Sequence, residues 1–128
     1  MLKIHAQKLG NVAILCLQGG ILIGETTELE DVVGSISSAS AIVLDLTRVS
    51  RIDARGLGVL LELLEQTRAN GIEFRLMNVT RLIGQVLEMT CLNSVFRISS
   101  QAEVASMAAQ GQHASVVQIV PCGQQAYV

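Results

Sequence analysis

Two histidines, three cysteines and a pair of glutamates are the groups from which this chain could build a metal centre, a redox couple or an acid–base pair. His5 and His113 stand far apart in sequence, and neither has metal-ligand spacing. Cys16, Cys91 and Cys122 are widely separated and match no zinc or thiol–disulfide motif. An odd count is also a poor disulfide framework, so buried or idle thiols in a reducing cytoplasm are expected. Glu62 and Glu65 resemble paired carboxylates, yet with Arg68 close behind they read as the solvated face of a helix. Gly56-Leu57-Gly58 has two glycines of a dinucleotide fingerprint and lacks the third. No phosphate loop and no G-x-S-x-G elbow occurs. The expectation is a chain without catalytic residues, metal or cofactor.

One segment stands apart: Ile52-Asp53-Ala54-Arg55-Gly56-Leu57-Gly58-Val59-Leu60. Asp53 directly precedes a leucine stripe, where a carboxylate can accept from free helix amides. Gly56 and Gly58 cost about 1 kcal/mol each relative to alanine inside a helix. Glycines are useful there when a neighbouring backbone, from the sheet or from a partner, comes very close. A capped strand-to-helix turn with tight packing accounts for these residues, and so does a contact surface.

The elements that must position this segment are legible around it. Leu2–Gln7 and Val12–Gln18 read as a hairpin across Lys8-Leu9-Gly10-Asn11, with Gly19-Gly20 breaking the second strand. Leu29, Val32, Val33 and Ile36 form one helical stripe, and Thr27 with Glu30 has capping-box spacing. Ala41–Leu46 is a nearly continuous apolar run, suited to a strand buried on both faces. Leu57, Leu60, Leu61 and Leu64 predict the second helix, stopped at Asn70-Gly71. A strand at Glu73–Asn78, a helix capped by Thr80, a strand at Val95–Ile98 and a helix opened by Ser100-Gln101-Ala102-Glu103 follow. The order β-β-α-β-α-β-α-β-α implies one α/β domain over residues 1–109, with a mixed, mostly parallel sheet of about five strands and four helices. Residues 110–128 change character and hold Pro121; Ser115–Val120 reads as one more strand, for a sheet edge or an exchange between two copies.

Composition narrows the function classes. The chain has 128 residues, enough for one domain and a sizeable core. Half of it is apolar and 16% is charged, which argues against disorder. A net charge of −2 gives no footprint for nucleic acid or an anionic membrane. Phe74, Phe96 and Tyr127 are all the aromatics, too few for a base-stacking platform. Mean hydropathy is +0.49, but apolar runs such as Val12–Leu17 are far too short to span a bilayer. Met1–His5 lacks the apolar stretch of a secretory signal, so a cytoplasmic protein is expected.

Val43-Leu44-Asp45-Leu46 followed by Asp53-Ala54-Arg55-Gly56-Leu57-Gly58-Val59-Leu60 resembles the signature of the STAS domain family. That signature is approximately D-S-[ST]-G-L-G-x-L after a strand, and the family includes the bacterial anti-sigma-factor antagonists. The likeness runs from Leu2 to about Ala109, taking in Gly19 ahead of the first helix and Thr80–Ile98 as the third helix and last strand. It implies a protein-binding module. In the family, a kinase-type anti-sigma factor binds around the residue after the motif aspartate and phosphorylates it. A phosphate of about −1.5 to −2 charge beside a carboxylate then opposes rebinding.

This chain departs from that pattern at the decisive position. Ala54 has no hydroxyl, Arg55 replaces a small hydroxyl residue, and Leu22 stands where many members carry an aspartate. Thr47 and Ser50 are expected in the preceding connection and do not inherit the role. Partner contacts are expected at Asp53, Ala54, Arg55, Gly56, Leu57, Gly58, Glu62 and Ile23, with no phosphorylation site. The loop Gly20–Glu25 is apolar, for burial or for contact. Three readings follow: an unphosphorylated antagonist of a kinase-type anti-sigma factor, a STAS subunit of a transporter or signalling assembly, and a small-ligand or nucleotide module.

Overall fold

In the computed structural model, residues 2–110 are described. Five strands and four helices follow one another as β1 (Lys3–Leu9), β2 (Val12–Ile21), α1 (Thr27–Ser35), β3 (Ala41–Ile52), α2 (Ala54–Ala69), β4 (Glu73–Met77), α3 (Arg81–Met89), β5 (Arg97–Ser99) and α4 (Gln101–Gln110). The sheet order is β1-β2-β3-β4-β5. β1 pairs antiparallel with β2, and the other neighbours are parallel. Parallel neighbours require a crossover, which the intervening helices supply.

β3 is the centre of the sheet, and its first six residues, Ala41–Leu46, are buried without interruption. Alternate side chains serve two cores. Leu15, Leu17, Ile42, Leu44 and Leu46 meet Leu29 and Val33 of α1, Leu60 and Leu63 of α2, and Ile83 and Leu87 of α3. Val12, Ile14, Val43 and Met77 on the other face meet Val104 and Ala108 of α4. Phe74 and Phe96 are the aromatic contact within this otherwise aliphatic interior, 6.5 Å between ring centroids.

Several boundaries differ from those read in the sequence. Gly19-Gly20 does not end β2, which continues to Ile21, and the ladder to β3 shifts register between Gly19 and Gly20. A bulge absorbs glycine where a break was expected. β3 continues to Ile52, so Thr47 and Ser50 belong to a strand and not to a connection. The cap of α1 is Thr26, not Thr27, and its hydroxyl donates to Glu30 Oε2 at 3.0 Å instead of accepting from an amide. β5 is short and begins at Arg97, because Phe96 turns into the core. The Ser100–Glu103 capping box forms as read: Glu103 N–H donates to Ser100 Oγ, and Ser100 N–H to Glu103 Oε1. Cys91 is a free, exposed thiol, whereas Cys16 is disulfide-bonded, against the expectation of idle thiols. The strand at Ser115–Val120 and the homodimer through residues 110–128 fall outside the described residues. Among the described residues no helix is long and apolar enough to cross a membrane.

Asp45 is a carboxylate inside the apolar run, 1% exposed. Its Oδ1 accepts from Thr47 N–H at 3.0 Å, Thr47 Oγ1 at 2.5 Å and Asn78 Nδ2 at 3.1 Å. The contact ties the end of β4 to β3 where their pairing stops, leaving the last stretch of β3 to run on alone beside β2.

Candidate functional site: the strand-to-helix turn before α2

The turn is assembled by one carboxylate and one carbonyl. Asp53 is the N-cap of α2, in extended backbone, and its Oδ1 accepts from Gly56 N–H at 2.7 Å. Its Oδ2 accepts from Ile23 N–H at 2.9 Å, across the loop between β2 and α1. These two donors, Ile23 first and Gly56 second, hold the Asp53 carboxyl below its ordinary pKa. The carbonyl of Ile21 accepts from Asp53 N–H at 3.3 Å, so the end of β2 is also tied to the turn.

Gly56 is required by that same carbonyl. A Cβ added to Gly56 would lie 1.9 Å from Ile21 O, a contact no real Cβ makes. Gly58, one residue further on, has nothing within 4 Å of such a Cβ. Two glycines that look alike in the sequence therefore answer different demands. The first admits a backbone of its own chain; the second is empty of neighbours on the side where a side chain would be.

The loop shows a similar division. Glu25 N–H donates to Leu22 O at 3.0 Å, closing a turn in which Gly24 adopts φ +81°. Ile21 is fully buried and Leu22 half-buried, while Ile23 at the tip is 68% exposed. This isoleucine stands in solvent on a loop held in place by a carboxylate. Asp53 thus holds Ile23 beside the start of α2.

Of the expected site residues, Asp53, Ala54, Arg55, Gly58 and Ile23 come together around this turn, and Ala54 and Arg55 are exposed. Glu62 is exposed two turns further along α2. Gly56 and Leu57, also among the expected contacts, are buried and shape the turn from inside. The sequence reading missed the bond from Ile23 N–H to Asp53 and the role of the Ile21 carbonyl. Neither leaves a side-chain signal; the apolar loop and Gly56 were the traces of them.

Because the Asp53 carboxylate accepts from Gly56 N–H in the first turn of α2, the helix start presents a carboxylate where a nucleotide phosphate would have to sit. A cavity of about 390 Å³, lined by Lys3, His5, Cys16, Gln18, Asp45 and Thr47, opens on the other face of the sheet and does not reach this turn.

The STAS domain family matches residues 3–105, which include every element that builds this turn. The chain belongs to the STAS domain family. A curated relative from Bordetella bronchiseptica, BtrV, described as a candidate anti-sigma factor antagonist, is 28% identical over 109 residues, covering 84% of this chain and 94% of that protein. Among solved structures, an anti-sigma factor antagonist from Mycobacterium paratuberculosis superposes with a TM-score of 0.72 at 20% identity, covering 86% of this chain and 95% of that one. A sulfate transporter family protein from Wolinella succinogenes superposes with a TM-score of 0.64 at 22% identity, over 78% of this chain and 86% of that one. At these identities the two structures speak for the STAS fold.

Proposed function

We propose that this STAS domain is a non-enzymatic regulatory module that binds a kinase-type anti-sigma factor at the outer side of the α2 turn, without phosphorylation at position 54. The carrying observation is Ala54. It is exposed at the first position of α2, next to the capping Asp53, and offers no hydroxyl to a phosphoryl donor. A relative described as an anti-sigma factor antagonist, matched along nearly its whole length, supports the partner class.

The contact surface consists of Ile23, Ala54, Arg55 and Gly58, extended along α2 to Glu62. Asp53 positions it, and Gly56 and Leu57 support it from within. Ile23 supplies apolar area, and the empty side of Gly58 lets a partner's backbone or side chain approach the helix closely. Binding sequesters the anti-sigma factor and leaves its sigma factor free. With no acceptor at Ala54, the amount of antagonist sets the outcome, not a phosphorylation cycle. Thr47 already donates its hydroxyl to Asp45, and Ser50 lies within β3 away from the cap, so neither takes over the role.

A second reading, a STAS subunit of a transporter-associated or signalling assembly, draws on the likeness to the sulfate transporter family protein. Affinity capture of the tagged chain from the cells that encode it separates the two. The antagonist reading predicts recovery of an anti-sigma factor with a kinase fold, lost with Ile23→Asp. Recovery of permease or scaffold subunits in its place would sink that reading while leaving the fold untouched.

A further inference from the structure

Resting on the antagonist reading, we propose that the partner's docking surface is acidic, and that Arg51 and Arg55 are the residues that select it. Arg48, Arg51 and Arg55 are three of the nine Lys and Arg residues and fall within eight positions of a chain whose net charge is −2. All three are exposed. Asp53 is the one carboxylate in that stretch, and its two oxygens are engaged by backbone N–H groups of the turn.

The fold makes no use of the two charges. Among the described residues, neither Arg51 nor Arg55 has an ion pair or a side-chain hydrogen bond. In the register, Arg51 stands opposite Gly20, which has no side chain to pair with. Arg55 is the second residue of α2, in a first turn that contains no acidic residue, so its cation works against the helix dipole. Arg75 and Arg97 show the contrast: both reach Glu73 Oε2, at 2.9 and 2.6 Å. Arg68 sits in the last turn of α2, where the dipole favours a cation.

Unpaired Arg55 follows the Asp53 that holds exposed Ile23, and unpaired Arg51 is next to last in the strand that enters the turn, so the apolar tip has a cationic rim at the strand end and helix start, with Glu62 two turns further along α2. Such a rim raises the encounter rate with an acidic surface and discriminates against a basic one. The arginine fork also suits bidentate carboxylate contacts better than a lysine does.

The experiment uses the full chain and the purified anti-sigma factor captured with it. Arg51→Glu and Arg55→Glu are each expected to raise Kd about tenfold or more, and wild-type affinity to fall as salt rises from about 50 to about 300 mM. Arg68→Glu, about 20 Å along the helix, should stay within about twofold of wild type. Arg55→Glu is expected to melt at or above the wild-type temperature, since it removes a cation from the positive end of α2. A partner Asp or Glu changed to Lys should restore binding to the Arg55→Glu variant. Salt-independent affinity, with both reversals within about twofold of wild type, would overturn the acidic surface and leave the anti-sigma reading standing. Capture of no anti-sigma factor removes that reading and this one together. If Arg55→Glu lowers the melting temperature, Arg55→Ala replaces it: weakened binding supports the acidic surface, and unchanged binding overturns it.

Discussion

The inner and outer sides of the α2 turn are built to opposite rules. Inside, the groups interlock: Asp53 takes two N–H donors, the Ile21 carbonyl takes a third, and Gly56 admits that carbonyl with no room to spare. Outside, Ile23 stands in solvent, Gly58 faces empty space, and Arg55 opposes its own helix dipole with no partner among the described residues. Folding alone explains the inner side and gives no reason for the outer one. Groups that cost local stability and satisfy nothing among the described residues are where a second molecule is to be sought.

The hardest blow to this contrast is a methyl group on Gly56. Gly56→Ala should cost on the order of 3 kcal/mol in denaturant unfolding, because the carbonyl it strikes is held by Asp53 and cannot yield. A near-neutral result would mean that the two glycines are equivalent and the contrast is empty. Next comes Asp53. Its folded pKa is depressed by the Ile23 and Gly56 N–H groups, so the stability it contributes is present above the ordinary carboxylate range and is lost as pH falls through the lowered value. Asp53→Asn should weaken the fold at neutral pH and flatten that part of the acid limb, read from thermal melts across pH.

Gly58→Ala sharpens the comparison from the other side. With nothing in the way, alanine should raise stability by about 0.5–1 kcal/mol, while a partner that approaches there binds more weakly. Stability and binding moving together would count against an outer surface. The smallest change is expected of Ile23→Asp, within about 0.5 kcal/mol in unfolding, since an exposed loop tip holds up nothing. Its effect belongs to partner capture alone.

The fold was legible because its strongest patterns are local. Continuous apolar runs announced β3, leucine stripes announced α2, and Ser100–Glu103 and Thr80 marked helix starts that the structure keeps. The errors lie where long-range pairing overrides a local signal. Gly19-Gly20 reads as a break, yet the ladder to β3 carries β2 through it with a register shift. Polar Thr47–Arg51 reads as a connection, yet pairing with β2 keeps it extended. At the site, Asp53 as a cap and the need for glycine were readable from residue types. Which glycine met a backbone was not, because the obstacle is a carbonyl from a strand more than thirty positions earlier in the chain.

An antagonist surface without a phosphorylation switch makes a sharp prediction for the purified complex with the anti-sigma factor when ATP is added. The wild-type complex should persist, and the chain should carry no phosphate by intact mass. Ala54→Ser, which returns a hydroxyl to the first residue of α2, should be phosphorylated and released. ATP-dependent release of the wild-type chain, bearing a phosphate at any residue, would contradict the account.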